Sequence, residues 1–156
     1  MKPLTIPKLK KKVWKIFSQY IRQKYADKNG YVNCYTCGVK KHWKEQQCGH
    51  GLGGRGNSIL FDEELVRVQC PQCNIFKGGN YDVFHAKLIE ENGLKWFNDK
   101  LKLKHTTKQF TRKELEMLYE KYKTIIIKKV NGYDVVVLKA MEIHYQEGTP
   151  YYFEPL

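Results

Sequence analysis

The chain has 156 residues, 42% of them apolar, and its 28 Lys and Arg against 16 Asp and Glu give a net charge of +12. This length favours one domain with a modest core, and the charge favours a phosphate-rich partner over the second choice, an anionic membrane surface. No apolar run approaches the roughly 20 residues of a transmembrane helix, and residues 1–7 lack the apolar segment of a signal peptide. We therefore expect a cytoplasmic protein with no membrane span.

The first predicted element is a basic amphipathic helix over residues 8–28. Leu9, Val13 and Phe17 recur at helical spacing, and residues 1–28 carry nine Lys or Arg against one Asp. Charge this one-sided favours contact with phosphate over a merely solvated helix face. The candidate phosphate-binding residues of this helix are Lys10, Lys11, Lys12, Lys15 and Arg22.

Four of the five cysteines form two C-x-x-C pairs, Cys34 with Cys37 and Cys70 with Cys73. Both thiolates of such a pair can reach one tetrahedral ion, so the spacing predicts one structural zinc site. The alternative is a redox pair, which would need a thioredoxin-like βαβ pattern that the sequence lacks. The fifth cysteine, Cys48, is expected to be a small buried side chain rather than a substitute ligand.

A glycine-rich loop lies between the two cysteine pairs, with five glycines among residues 49–56. Such a loop lets the backbone approach a ligand closely, and Arg55 within it is a candidate to reach a phosphate. Residues 65–69 alternate as a strand that runs into the second pair. A helix is then expected from residue 71, with Asn74 and Lys77 on one face of it, and Lys77 is a further candidate to bind DNA.

The rest of the chain is predicted to hold helices and a hairpin. The first helix spans residues 81–91 and stops at Asn92-Gly93, and a second short helix follows. Thr111 and Glu114 form a capping box that begins a third helix. Residues 125–130 and 133–138, joined by Asn131-Gly132, have the pattern of a β-hairpin with a type I′ turn.

The predicted fold class is therefore α+β. A zinc-stapled ββα core at residues 31–80 lies between the basic helix 8–28 and C-terminal helices at 81–124, which makes a domain of residues 1–124. A C-terminal β-hairpin and tail, residues 125–156, form an appendage.

The order of these features also suggests a chemistry. A hairpin followed by a helix would place His50 on the first strand, facing Asn74 and Lys77 on the helix. A divalent ion held by Asn74 would polarise a phosphate ester and stabilise the departing oxygen, while His50 takes a proton from water. Imidazole suits that role because its pKa lies near neutral pH.

These residues resemble the HNH (ββα-metal) nuclease superfamily, in which C-x-x-C-N-x-x-K-G is a common ending. A closer resemblance, over residues 13–124, is to the lambdoid phage NinG, or Rap, recombination endonucleases. It implies a phage-encoded endonuclease in the host cytoplasm that cuts branched DNA such as Holliday junctions and D-loops, using Mg²⁺ or Mn²⁺. The matching features are Phe17-x-x-Tyr20-Ile21-Arg22, Cys34-x-x-Cys37-Gly38, Gly49-His50, Arg55-Gly56, Phe61-x-Glu63, Gln69-Cys70-x-x-Cys73-Asn74 and Gly79-Asn80.

The chain departs from that family pattern at the candidate catalytic ion. Where the family shows Asp-Ala-Gly-His, this chain has Gln47-Cys48-Gly49-His50, so an expected carboxylate is missing. Asp62 is the nearest candidate to replace it. The middle Asn of the HNH pattern falls on Leu65 and a following His on Arg67.

Three functions remain open on the sequence. The leading hypothesis is a metal-dependent endonuclease for branched DNA, and two symmetric cuts would favour a homodimer. The alternatives are a non-catalytic zinc-containing module that binds DNA and an HNH nuclease for ordinary duplex DNA. Simpler roles also exist for the site residues: His50 as a loop brace, Asn74 as a helix cap and Lys77 as a solvated surface lysine.

Overall fold

A computed structural model describes residues 3–130 of the chain, with side chains for residues 3–126. Two long helices, α1 (Ile6–Lys24) and α4 (Arg112–Val130), pack on each other, and four short strands and two further helices lie between them in the chain. The strands are β1 (Tyr31–Asn33), β2 (Lys40–His42), β3 (Gln47–His50) and β4 (Val66–Gln69), and the remaining helices are α2 (Tyr81–Asn92) and α3 (Leu94–Lys104). Within residues 3–130, no helix is both long enough and apolar enough to cross a membrane.

The strands form two separate antiparallel hairpins. β1 pairs with β2, with Val32 opposite Lys41. β3 pairs with β4, with Gln47 opposite Gln69 and His50 opposite Val66. The α+β class predicted from the sequence is therefore confirmed, with small two-stranded sheets rather than one larger sheet.

Helix α1 contributes to two of the core clusters. Its buried side chains Val13, Phe17 and Ile21 are fully shielded from solvent. Phe17 meets Tyr122 of α4 edge-to-face, with ring centroids 5.0 Å apart. Helix α1 begins at Ile6 and ends at Lys24, so it is shifted from the predicted span of residues 8–28.

Glu63 ties the two long helices together from the loop before β4. It accepts hydrogen bonds from Tyr20 at 2.8 Å and from Tyr122 at 3.0 Å, and it pairs with Lys24 and Lys121. Burial raises the pKa of the Glu63 carboxyl, but these hydroxyl and ammonium partners outweigh it and the pKa is lowered. The Phe61-x-Glu63 motif thus has a structural role in this chain.

The predicted start of α4 is confirmed. The backbone amide of Thr111 donates to Glu114 Oε2 at 2.7 Å, and the Glu114 amide donates to Thr111 Oγ1 at 3.2 Å. Phe110 and Leu115 join the cluster around Leu9 and Val13. This reciprocal pair satisfies two backbone donors that a helix N-terminus otherwise leaves without partners.

The predicted β-hairpin is wrong in its first strand, because residues 125–130 continue α4. Ile125 and Ile126 follow Tyr122 by one helical turn and are buried, with Ile125 packed in the cluster of Phe17 and Ile21. Tertiary packing thus overrides the strand preference of β-branched residues. The turn at Asn131-Gly132 and the second strand at 133–138 lie outside the described residues.

The glycines at the start of the loop are required by packing. A Cβ on Gly49 would lie 1.9 Å from Gln69 Oε1, and one on Gly51 would lie 2.6 Å from Leu88 Cδ1. Both positions need glycine because any side chain would collide with neighbouring residues. The close approach at these two glycines is therefore to the protein's own core.

Candidate metal centre and nucleic-acid interface

The four cysteines of the two C-x-x-C pairs come together as the sequence predicts. Their sulfur atoms all lie within 4.8 Å of one another, and Cys37 Sγ is 3.7 Å from Cys70 Sγ. Four thiolates at tetrahedral zinc distances would have sulfur atoms about 3.8 Å apart. The cluster therefore fits a zinc ion, and the four cysteines could hold one.

Backbone turns hold the cysteines in place. The first pair is closed by the Gly38 amide, which donates to the Cys34 carbonyl at 2.9 Å. In the second pair, the Cys73 amide donates to the Cys70 sulfur at 3.4 Å. Cys34, Cys70 and Cys73 are buried, whereas Cys37 is exposed at the surface.

The electrostatic surroundings of the sulfur atoms differ. Burial raises the pKa of the Cys34 thiol, but hydrogen bonds from the Thr36 hydroxyl and from backbone amides outweigh it and lower the pKa to about 6. Although Cys37 is exposed as a residue, partial desolvation of its sulfur and its hydrogen bonds with the sulfurs of the other three cysteines raise the pKa of Cys37 to about 12. A bound cation favours the thiolate form at each of them.

Asn74 follows the candidate ligand Cys73 directly, and the helix expected from residue 71 is present as a single π-helical turn, Gln72–Phe76. The side-chain amide of Asn74 donates to Gln47 Oε1 at 2.7 Å. Its own amide oxygen stays available as a ligand for a hard cation. The carboxylate that the family resemblance places at position 47 is replaced here by an amide, which carries no charge.

His50 lies at the end of β3, as predicted, but it packs against α1. Its ring stacks on Trp14 with centroids 4.8 Å apart and an interplanar angle of 18°. Nε2 is 3.3 Å from the Leu60 carbonyl oxygen, and only 7% of the residue is exposed. Because a carbonyl oxygen only accepts, Nε2 carries the proton and Nδ1 has the free lone pair.

Burial lowers the pKa of His50 to about 4; the hydrogen bond to the Leu60 carbonyl opposes this shift and the positive charge of Arg55 adds to it. The imidazole is therefore neutral at neutral pH. A neutral imidazole is the form that can accept a proton.

His50 and Asn74 lie on opposite faces of the β3–β4 hairpin, contrary to the predicted facing arrangement. Side chains alternate along a strand, so Cys48 and His50 share one face and Gln47 belongs to the other. Cys48 Sγ donates to the Ser18 carbonyl of α1 at 3.3 Å, which identifies the α1 face. Asn74 contacts Gln47 and therefore lies on the far side.

The Asp62 carboxylate is hydrogen-bonded to a lysine and to a backbone amide. Its Oδ2 is 2.7 Å from Lys100 Nζ, and its Oδ1 accepts the Glu64 backbone amide at 2.9 Å. Oδ2 thus braces the loop against α3, and Oδ1 closes a turn within the loop. The position of Asp62 thus gives no support to its assignment as a ligand of the catalytic ion.

The basic residues of α1 separate into two groups. Lys11, Lys12 and Lys15 are exposed. Arg22 instead donates to three backbone carbonyls, those of Ser18 at 3.0 Å, Trp43 at 3.1 Å and Gln46 at 3.2 Å. Arg22 therefore has a structural role, because it holds α1 against the backbone of residues 43–46. The three lysines form the exposed basic surface.

The loop residue Arg55 joins this basic surface. Its guanidinium lies over the Trp14 ring, 4.6 Å from the centroid, and its φ of 45° is in the left-handed region that non-glycine residues rarely adopt. One turn earlier on α1, Lys10 Nζ donates to Asn57 Oδ1 at 3.0 Å. Exposed Arg55 thus lies beside the α1 lysines. Lys77 is exposed too, at the end of the π-helical turn.

Trp14 is the site residue that the sequence did not reveal. It stacks on His50, lies under Arg55 and packs against Phe61, with centroids 6.5 Å apart in the last contact. Its position three residues before Phe17 is the signal that could have found it, since i and i+3 share a helix face.

Fold and site together define a class: an α+β protein with small antiparallel hairpins and a four-cysteine centre that could hold zinc. The family model described as bacteriophage lambda NinG protein matches residues 2–131. This chain belongs to the NinG family. A search of curated proteins and a search of solved structures found no match.

Proposed function

We propose that this NinG-family chain is a metal-dependent endonuclease that cuts branched DNA by phosphodiester hydrolysis. The observation that carries the proposal is the 2.7 Å contact of Asn74 with Gln47 on β3, directly after the zinc-centre residue Cys73. The four-cysteine centre holds the π-helical turn against the hairpin, which is the arrangement that the HNH resemblance implies for an ion-binding Asn.

Binding of DNA is supported by the basic surface. Lys11, Lys12, Lys15 and Arg55 are exposed in a chain of net charge +12. Lysine and arginine side chains neutralise phosphates and release condensed counterions. In this proposal α1 tracks the DNA backbone, and Arg55 binds a phosphate near His50.

In the proposed reaction, His50 is the general base and takes a proton from water at Nδ1. Its burial keeps the imidazole neutral, as a base requires, but also limits its access to water. The base role therefore requires the stack of His50 on Trp14 to open when DNA binds. Arg55, which lies over Trp14, is placed to couple a bound phosphate to that opening.

Asn74 is the proposed ligand of the catalytic ion, through its amide oxygen. An ion there would polarise the scissile phosphate and stabilise the leaving oxygen. Its remaining ligands must come from water and DNA phosphates, as is common for Mg²⁺. The fit is incomplete, because Gln47 offers no carboxylate. His50 also lies on the opposite face of the β3–β4 hairpin, so joint action on one phosphate requires the imidazole at the end of β3 to turn toward Asn74 once its stack on Trp14 has opened.

The test is cleavage of a labelled four-way junction and of its linear duplex arms, with Mg²⁺ or Mn²⁺, by wild type, His50→Ala and Asn74→Ala. We expect wild type to cut the junction in preference to the arms. Each variant should bind the junction like wild type and lose cleavage by at least about 100-fold. Equal cutting by His50→Ala would refute the base assignment, and equal cutting of junction and arms would favour a nuclease for ordinary duplex DNA.

A second candidate is a non-catalytic zinc-containing module that binds DNA. Two observations favour it: the 7% exposure of His50, and the neutral amide in place of a carboxylate at Gln47. Junction binding by wild type with no cleavage in either Mg²⁺ or Mn²⁺ would establish this function instead. Sedimentation of the protein–junction complex would show whether two chains bind, as symmetric cutting requires.

A further inference from the structure

The π-helical turn that carries Asn74 also exposes two large apolar side chains. Ile75 is 58% exposed and Phe76 is 77% exposed, the highest value among the exposed large hydrophobic residues of the part of the chain that the structure describes. Burying a phenylalanine side chain typically contributes about 1.5–3 kcal/mol. The fold forgoes this contribution at Phe76, although α1 and α4 bury comparable side chains.

These side chains are held outward by a rigid turn. The Lys77 amide donates to the Gln72 carbonyl at 2.9 Å, the Gly78 amide to the Ile75 carbonyl at 3.1 Å, and the Gly79 amide to the Cys73 carbonyl at 3.0 Å. The turn is anchored at one end by Cys73 of the four-cysteine centre. Ile75 and Phe76 therefore form a fixed apolar projection rather than a loose loop tip.

The chemical surroundings of the projection favour nucleic acid. Phe76 lies between Asn74, the proposed ion ligand, and the exposed cation Lys77. The chain also carries a net charge of +12, which favours a phosphate-rich partner. An aromatic side chain beside a cation is the combination with which proteins bind unpaired bases, since every base has a stacking face.

We propose that Phe76, supported by Ile75, stacks on nucleobases exposed where a DNA duplex is interrupted, as at a junction or a bulge. The proposal rests on the DNA binding proposed above and names the feature of the DNA that the site selects. A continuous duplex has its base faces covered by neighbouring pairs, so an apolar wedge gains contact area only where stacking is broken. Phe76 would thus place the interruption next to Asn74.

The experiment measures binding without cleavage, by fluorescence anisotropy in buffer without added Mg²⁺ or Mn²⁺, after the zinc content of each variant has been verified. The probes are a duplex with a central three-nucleotide bulge and a fully paired duplex of the same length. The variants are Phe76→Ala, Phe76→Trp and the control Leu94→Ala, since Leu94 is 59% exposed but lies at the start of α3.

We expect Phe76→Ala to weaken binding to the bulged DNA by about fivefold to 100-fold, in line with the loss of one stacked base, and binding to the paired duplex by less than about twofold. Phe76→Trp and Leu94→Ala should bind like wild type. With 2-aminopurine in the bulge, wild type should quench its fluorescence on binding and Phe76→Ala should not.

Three outcomes would overturn the inference. They are an unchanged affinity of Phe76→Ala for bulged DNA, equal losses of affinity for both DNAs, and equal effects of Phe76→Ala and Leu94→Ala. An unchanged affinity for bulged DNA would reassign the projection to a protein partner. Failure of this inference is distinguishable from failure of the proposed function. If wild type binds DNA through Phe76 but never cuts it, only the proposed nuclease activity is refuted. If wild type cuts junctions and does not need Phe76 for binding, only this inference is refuted.

Discussion

The side chains of Gln47 and Asn74, 27 residues apart, meet in a 2.7 Å hydrogen bond between β3 and the π-helical turn. Two neutral side-chain amides are hydrogen-bonded here, at the place where the family resemblance implies a carboxylate and an ion. The pair fixes the turn against the hairpin whether or not an ion binds. A negative charge at position 47 is therefore the first change to test.

Replacing Gln47 by Asp should create a stronger site for a divalent ion. A carboxylate beside Asn74 supplies the charged oxygen that Mn²⁺ and Mg²⁺ prefer, so Mn²⁺ should bind at least about tenfold more tightly than to wild type. Calorimetric titration with Mn²⁺ measures this. Gln47→Asn is the matched control, because it has the same size as Asp without the charge. Equal Mn²⁺ affinity of the two variants would contradict an ion site at this position.

The stability of the fold should depend on pH through His50. Its folded pKa of about 4 lies below its ordinary value of 6.5, so between these values the unfolded chain binds more protons. Stability is therefore fully present above pH 6.5 and falls as the pH drops toward 4. The advantage of wild type over His50→Gln should shrink by on the order of 1 kcal/mol from pH 7 to pH 5.5.

Urea unfolding of both proteins at the two pH values measures this difference. Any loss of zinc at lower pH affects wild type and variant alike, so it cancels in the comparison. A wild-type advantage that is constant, or that grows as the pH falls, would show that the imidazole is not held neutral by burial in the folded chain.

Zinc should be lost on replacing a clustered cysteine and retained on replacing Cys48. Wild type should contain about one zinc per chain, and Cys34→Ser should lose it together with much of its stability. Cys48→Ser is the control, since Cys48 donates to Ser18 on the opposite face of the hairpin. Metal analysis and thermal unfolding report both properties. Folded wild-type protein without zinc would refute the four-cysteine centre.

The two groups of basic residues on α1 should respond differently to substitution. Lys15→Gln should reduce the slope of log affinity for DNA against log salt by about 1, as expected for the loss of one phosphate contact. Arg22→Gln should leave that slope unchanged and lower the free energy of unfolding by about 1–3 kcal/mol, because three partly buried backbone carbonyls lose their donor.

Anisotropy titrations at several salt concentrations and urea unfolding measure the two effects. A reduced salt slope in Arg22→Gln with unchanged stability would reverse the assignment. Arg22 would then bind a DNA phosphate rather than stabilise the fold.

The sequence by itself determined those features that depend on neighbouring residues. The C-x-x-C spacing predicted the cluster of Cys34, Cys37, Cys70 and Cys73, because two intervening residues bring paired sulfurs to one point whatever lies around them. The capping box at Thr111 was equally local, since both of its hydrogen bonds lie within one turn. Alternation along residues 65–69 predicted β4 for the same reason.

Only the tertiary structure decided which face each side chain meets. His50 and Asn74 occur in the order that the resemblance requires, yet the packing of Cys48 and His50 on α1 places them on opposite sides of the hairpin. Residues 125–130 have the composition of a strand, but burial of Ile125 against α1 keeps them helical. Long-range packing outweighs local preference in both cases, because burying apolar side chains contributes more free energy than the propensity differences between conformations. Phe76 is an exception to this rule, because the hydrogen bonds of the π-helical turn hold it outward, 77% exposed beside the proposed site.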